Sequence, residues 1–446
     1  MKKLQIDLTR GNITKVLLIF ALPLLISNLF QQLYNTADTM IVGNFLGDHS
    51  LAAIGSTAAV FELIIGFANG VGNGFGIIIA RYYGSHDEEQ LKKAVATSIV
   101  LSILISISLM VLSFVILEPL LILLKTPSNL IDEALSYILV ITAGVGITMA
   151  FNLSAGLLRA IGDSFTALIV LVIASLLNIV LDIYFISVLN MGIQGAAVAT
   201  LIAQFIAALC CFAFIYYKAK ILIPKRQHFV YERLLTNDLF SQGCSMGFML
   251  SIVSIGTVIL QSAINVLGES IIAAHTSARK LFSLLSLPGG TLATSISTFV
   301  SQNYGAKQYQ RIKEGVKIAN WISVIYGIAI SIVIFFTADS LIQVLSGSND
   351  PILIKNGAMY LKTNTPFFAV LGILLILRIS LQGFGKKLVP LVSSIIELIG
   401  KLIFTWMLIP IFGYLGVCFC EPIIWICMTI QLWFTFYRLP EFNACD

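Results

Sequence analysis

The polar chemistry of this 446-residue chain sits at a few side chains set into long apolar runs. The stretch "QQLYNTADTM", residues 31–40, places Gln31, Gln32, Asn35 and Asp38 between "VLLIFALPLLISNLF" and "IVGNFLG". Asn178 and Asp182 are four residues apart and share one face of a helix; Ala196 and Thr200 repeat that spacing. With Asp38, these residues could supply carboxylate, amide, hydroxyl and, at Ala196, backbone carbonyl oxygens, a ligand set for a hard cation such as Na+. The two carboxylates could instead carry a proton. Acids at membrane depth are expensive and mark ion or substrate paths. Amides and hydroxyls there serve equally well as bonds between helices. Gln31 lies two helical turns before Asp38, and it and Asn35 are candidates to contact cargo or to support the acid.

A second group stands near the C-terminus. Glu397 and Lys401 are four apart, and Glu421 opens the last apolar run. The Glu/Lys pair can be a self-neutralising structural bridge, or Lys401 can be displaced from Glu397 by a cationic cargo. Glu62 is read as a further buried acid without an assigned role, and Arg159 as an anchor at a cytoplasmic helix end.

The elements that must position these residues follow from composition. Hydrophobic residues make up 58% of the chain and charged ones only 11%, against about 25% charged in soluble domains. Lipid is therefore the solvent, and the expected fold is an all-α polytopic membrane protein. Apolar runs long enough to cross a bilayer fall at 16–42, 51–79, 94–117, 134–157, 165–188 and 193–217, then at 240–267, 271–300, 316–337, 357–380, 388–409 and 414–437. Residues 1–217 would form an N-terminal six-helix lobe holding the cation site, 218–239 a basic cytoplasmic linker, and 240–446 a C-terminal six-helix lobe. With the N-terminus inside, Lys2, Lys3, Lys92, Lys93, the linker cations, Lys313, Arg378 and Lys386 fall on the cytoplasmic side, whereas outer loops hold only Lys125, Lys355 and Lys362. This bias places both termini in the cytoplasm, with the chain spanning the cell (plasma, or cytoplasmic) membrane. Scattered in this way, the net charge of +5 does not describe a nucleic-acid surface. Seven cysteines without a CxxC pair, Cys445 among them, read as small buried hydrophobes.

The halves echo each other. "RYYGSHDEEQLKKAV" (81–95) matches "QNYGAKQYQRIKEGV" (302–316), "LRAIGD" (158–163) matches "LQGFGK" (381–386), and Gly192 and Gly195 match Gly413 and Gly416. With six spans each, the repeats run parallel, as two lobes around a central cleft suited to alternating access. Pro23 with "YNTADTMIVG", "LRAIGD", "NIVLDIYFI" (178–186) and "GIQGAAVAT" (192–200), in this order over twelve spans, resembles the multidrug and toxic compound extrusion (MATE) family, in particular its DNA-damage-inducible bacterial branch. The resemblance implies export of cationic and amphiphilic small molecules in exchange for H+ or Na+, with no other cofactor. It assigns cation binding to Asp38, Asn178, Asp182 and Thr200. Unlike some family members, the seventh run "SMGFMLSIVSIGTVILQSAINV" carries no acid, and Asp38 aligns with Ile259 in the second repeat. The ion is therefore expected in one lobe only. Pro23 is expected to weaken or kink the first helix.

"GVGNGFG" (70–76) has no preceding strand, so it reads as close helix packing rather than a nucleotide loop. A flippase for lipid-linked saccharides is the nearest alternative, but it would need a basic cavity. An embedded enzyme is disfavoured by the short loops. A monomer surrounded by membrane lipid, with no enzymatic activity and no nucleic-acid partner, is the expected working form.

Overall fold

The computed structural model describes residues 5–124 and 126–443; Lys2, Lys3, Lys125 and Cys445 lie outside them. The described residues are almost wholly helical. The first repeat holds α1 (Ile13–Leu46), α2 (Asp48–Gly84), α3 (Glu88–Leu123), α4 (Ser128–Ala143 and Val145–Ala160, bent by 47° about Gly144), α5 (Ser164–Ile183, ending in a π turn, Tyr184–Val188) and α6 (Ile193–Lys218). The second holds α7 (Arg233–Asn265), α8 (Glu269–Gly305), α9 (Tyr309–Ser346), α10 (Pro351–Asn364 continuing as Phe368–Gly383), α11 (Leu388–Ile403, a π turn Phe404–Leu408, then Ile409–Phe412) and α12 (Tyr414–Tyr437).

Ten of these segments are long and apolar enough to cross a bilayer, and the bent α4 makes an eleventh. The expected span at 271–300 lies in α8, which has 37 residues but carries His275, Arg279, Lys280 and Pro288. The helices overrun the apolar runs because polar caps continue them beyond the hydrocarbon. The Asp87 carboxylate accepts from the Gln90 backbone N–H at 3.0 Å, and Asp163 from Thr166 at 2.9 Å. Asp350 accepts from Ile352 at 2.9 Å, directly before Pro351 opens α10. Large apolar side chains such as Val115 (69% exposed) and Phe336 (77%) stand on outer helix faces, where only lipid would cover them.

The repeat is written into the backbone. Residues with positive φ recur in register: Gly47 with Gly268, His86 with Lys307, Gly162 with Gly385, and Gly192 with Gly413. Both π turns fall at matching positions, ending α5 and interrupting α11. Identical turns at a fixed offset bind the two halves to one topology more firmly than their few identical side chains do.

The chain packs as two compact units. One comprises the residues up to Thr9, 22–251 and 305–307; the other comprises 10–21, 252–304 and 308–446. These bounds differ from the expected lobes in α1, in α7, and at 305–307, which group with the first unit. The divide in α1 comes between Ala21 and Leu22, beside Pro23, which lies inside an unbroken helix; the Ser27 hydroxyl donates to the Pro23 carbonyl at 2.9 Å. At the other divide, α7 stays with the first unit as far as Ser251 because "GVGNGFG" holds it there. A Cβ on Gly70 would stand 2.6 Å from the Met246 carbonyl oxygen, and one on Gly74 2.7 Å from Gly243 Cα. The backbones of α2 and α7 thus touch through facing glycines, as in small-residue packing of membrane helices. The expected linker is not a free loop. It makes short turns at Lys220–Leu222 and Arg226–His228, and α7 begins inside it at Arg233.

Gly74→Val is therefore expected to lower the thermal midpoint sharply, by about 2 kcal/mol or more. Gly76→Ala, whose Cβ would stand 3.7 Å from its nearest neighbour, should be near neutral. Thermal unfolding in detergent checks both.

Of the described cysteines, Cys211, Cys418 and Cys420 are buried, but Cys210 and Cys427 are exposed on helix faces. The reading of all seven as buried hydrophobes therefore holds only in part, because apolar runs here face lipid as well as core.

Candidate functional site

In the first unit, α1, α5 and α6 bring the predicted polar residues together. Asp182 is fully buried and Asn178 is 2% exposed, one turn earlier on the same face of α5. The Asn178 amide points its nitrogen at both Asp182 Oδ1 (3.5 Å) and Thr200 Oγ1 (3.4 Å), joining α5 to α6. Asp38 comes in from α1, and its carboxyl lies beside that of Asp182. Three oxygens of this cluster are buried without a hydrogen-bond partner: Asp38 Oδ1, Asn178 Oδ1 and Asp182 Oδ2. Buried acceptors are rarely left so, and these three are the atoms a hard cation would take up. The residues present therefore fit either a proton or Na+.

Ala196 is buried one turn before Thr200. Gln31 lines a cavity of about 50 Å³ with Tyr34, Phe151, Asn178, Thr200 and Gln204, so it stands beside the cluster. Thr148 donates to Gln204 Oε1 at 2.6 Å and fixes that wall. Asn35 is exposed on α1, as Gln31 is, and is not among the residues that line this cavity. It lies three residues before Asp38, nearly a full turn, but on this helix the polar face follows the four-residue step through Tyr34.

Two side chains of the site were missed from sequence. Tyr34 and Tyr137 both interact electrostatically with Asp38 and Asp182. The signal for Tyr34 was available, one turn before Asp38 on the same face. Nothing in the sequence links Tyr137, on α4, to a residue about a hundred positions away.

In the second unit the three remaining candidates separate into two ion-pair groups. Lys401, 2% exposed, donates to Glu397 at 2.9 Å and to Thr257 at 3.3 Å. The other Glu397 oxygen lies 3.7 Å from Arg378, which also bonds Ser394. Arg378 was counted with the cytoplasmic loop charges. It is 5% exposed, because α10 runs on to Gly383 and carries it inside. Glu421, on α12, does not join this group. Arg279 donates to both its oxygens at 2.9 Å, and the Tyr360 hydroxyl donates to one of them at 2.9 Å. The Arg279 guanidinium also lies over the Phe282 ring, 5.1 Å from its centroid. His275 completes the surroundings, 3.2 Å from the Tyr414 hydroxyl.

Two further expectations resolve differently. Glu62 is exposed rather than buried, since the faces of α2 that pack inward are those of Val60, Ile64 and Ile65. Arg159 donates to Asn73 at 3.2 Å, tying α4 to α2.

A membrane-spanning bundle of two like halves, with a buried carboxyl pair inside one unit, is the architecture of a membrane transporter. The MatE family model matches this chain twice, at residues 23–184 and 246–407. The chain belongs to the MatE family. Among curated relatives, the probable multidrug resistance protein YpnP of Bacillus subtilis (strain 168) is 27% identical over 394 residues, 88% of this chain and 87% of that one. The FAD transporter of Shewanella oneidensis is 26% identical over 393 residues, covering 87% and 86%. Among solved structures, the outward-facing conformation of a multidrug resistance MATE family transporter of the MOP superfamily matches with a TM-score of 0.87 and 26% identity, covering 96% of each chain.

Proposed function

We propose that this chain is a secondary antiporter that exports cationic, amphiphilic small molecules across the cell membrane in exchange for protons bound at Asp38 and Asp182. The neighbouring carboxyls of Asp38 and Asp182, each with a buried oxygen that has no hydrogen-bond partner, carry the reading. Two carboxyl groups in contact hold one proton readily; deprotonating both would leave like charges side by side in a medium that screens them poorly. Gain and loss of protons at this pair therefore changes how strongly α1 is drawn to α5. Tyr34 and Tyr137 stand near enough to both carboxyls to feel their charge.

A sodium-driven mode has its own support in the three unpartnered oxygens of Asp38, Asn178 and Asp182. In that mode these atoms, with Thr200, would hold the ion, which supplies compact positive charge where the proton would otherwise sit. The relatives' names favour drug export, multidrug resistance for YpnP and multidrug export for MepA of Staphylococcus aureus. The FAD transporter shows that an anionic cargo occurs in a relative of similar identity. For this chain the acidic interior of the first unit favours cationic cargo. Glu397 and Glu421 are read as structural, since each already has cationic partners.

Expression in an efflux-deficient bacterial host tests the reading. Resistance to ethidium and similar lipophilic cations is expected to rise, and to collapse when an uncoupler discharges the proton gradient. Resistance that survives the uncoupler but vanishes without external sodium would transfer the coupling to Na+. No resistance to any organic cation would overturn the cargo assignment.

A further inference from the structure

The cytoplasmic end of the first unit carries a second cavity, unrelated to the carboxyl pair. It has a volume of about 480 Å³ and an apolar wall contributed by α3 (Val95, Ile99), α6 (Phe212, Tyr216) and the segment after α6 (Ile223, Pro224). The wall after α6 is not a passing loop. Ala219 and Leu222 are buried, and the Leu222 N–H bonds back to the Ala219 carbonyl at 2.9 Å. A chain lying in this open groove would touch several elements, not one helix alone.

The chain next to the lining residues is strongly basic, with Lys218 following Tyr217 and Lys225 following Pro224. Lys218, Lys220, Lys225 and Arg226 fall within nine residues, and no acid occurs from 218 to 231. All four are exposed. The nearest acids, at the start of α3, are already engaged: Glu88 bonds Lys92, and Glu89 lies 3.3 Å from His228. Lys218, Lys220 and Arg226 have no ion-pair partner among the described residues. Tyr216 and Tyr217, adjacent and edge to face at 5.3 Å, stand exposed at the same level. Aromatic residues with a polar tip collect at the headgroup boundary of a bilayer. An apolar slot opening beside unpaired cations at the cytoplasmic boundary has the two halves of a phospholipid's chemistry in the right order.

We propose that this groove binds one anionic phospholipid of the inner leaflet, an acyl chain in the slot and its phosphate against Lys218, Lys220 and Arg226. Basic clusters just cytoplasmic of a membrane helix attract anionic lipid, and here the cluster is coupled to a preformed apolar receptacle. Through Pro224 and Ile223 the lipid would brace the segment that leads into α7. The proposal does not depend on the identity of the coupling ion or the cargo.

The test uses the purified full-length protein with phosphatidylglycerol and phosphatidylcholine in equal amounts, counting retained lipids by native mass spectrometry. The wild type is expected to retain one phosphatidylglycerol in preference to phosphatidylcholine. The triple variant K218Q/K220Q/R226Q, altered only at exposed side chains, should lose that preference by roughly tenfold or more. Ala213→Phe, which fills the slot without touching a cation, should lose the retained lipid of either kind. Equal retention of both lipids by the wild type, or unchanged phosphatidylglycerol retention in the triple variant, would overturn the proposal. So would displacement of the retained lipid by ethidium, which would make the groove a cargo vestibule.

Discussion

Replacing Asp38 by Asn is expected to abolish coupled efflux while leaving the protein folded and in the membrane. The substitution is close to isosteric, and the new amide stands beside Asp182 with a hydrogen to donate, as a protonated acid would. What it cannot do is release that hydrogen, so the cluster is fixed in the state that one proton normally creates. Drug resistance should fall to the level of cells lacking the protein, with unchanged expression on a blot of the membrane fraction. Cargo binding, measured by fluorescence polarisation on purified protein, should survive. Full resistance in cells expressing Asp38→Asn would mean that the carboxyl pair does not couple transport. Asp182→Asn is expected to act in the same direction. It additionally changes the acceptor of the Asn178 amide, so it is the less clean experiment.

The second large effect is on stability, in the other unit. Glu421 is 7% exposed and accepts two hydrogen bonds from Arg279 and one from Tyr360. Glu421→Ala would strand the guanidinium and the phenol together in a region that offers little else to pair with. Removing one partner of a buried pair costs about 3–5 kcal/mol. The lower end is expected here, because a third of the Arg279 side chain remains exposed. Removing both charges, as Arg279→Met with Glu421→Met, should restore a good part of the loss, since no uncompensated charge is left behind. Thermal unfolding of the two single variants and the double variant measures the coupling. A double variant no more stable than Glu421→Ala would show that the pair itself, and not the stranded charge, holds α8 to α12. If Glu421 instead bound cargo, Glu421→Gln would lose transport at unchanged stability.

Much of the site could be read from spacing alone. Asn178 and Asp182 lie four apart on one helix and are both buried, while Ala196 and Thr200 repeat the spacing on another with Ala196 buried and Thr200 half-buried. Asp38 was conspicuous because a carboxylate in an apolar run needs a reason. Its partnership with residues some 140 positions downstream came from family resemblance, not periodicity. Tyr34 obeyed the same four-residue rule but was overlooked, because an aromatic in an apolar helix draws no attention. Pairings across the chain were beyond reach. Spacing groups Glu421 with Glu397 and Lys401, whereas its partner is Arg279, 142 residues away. Arg378 was placed outside the core because the apolar run ends near it. Hydropathy marks where lipid contact stops, whereas the helix continues and brings the charge inside to Glu397.

The repeat was legible for a related reason. Turns that need positive φ tolerate few residues, so glycines persisted at Gly162 and Gly385, and at Gly192 and Gly413, while the helices between them diverged. The same divergence replaced Asp38 by Ile259 in the second half. It left the second unit with ion pairs that neutralise one another in place of an unsatisfied carboxyl pair.

The central claim is that protons bound at Asp38 and Asp182 drive export. Reconstitution into proteoliposomes tests it most directly, with uptake of a fluorescent lipophilic cation followed under an imposed pH gradient and, separately, under an imposed sodium gradient at uniform pH. The account predicts transport with the pH gradient alone, a measurable counterflow of protons, and neither signal with Asp38→Asn. Transport driven by sodium alone, or proton-driven transport that persists in Asp38→Asn, would contradict it.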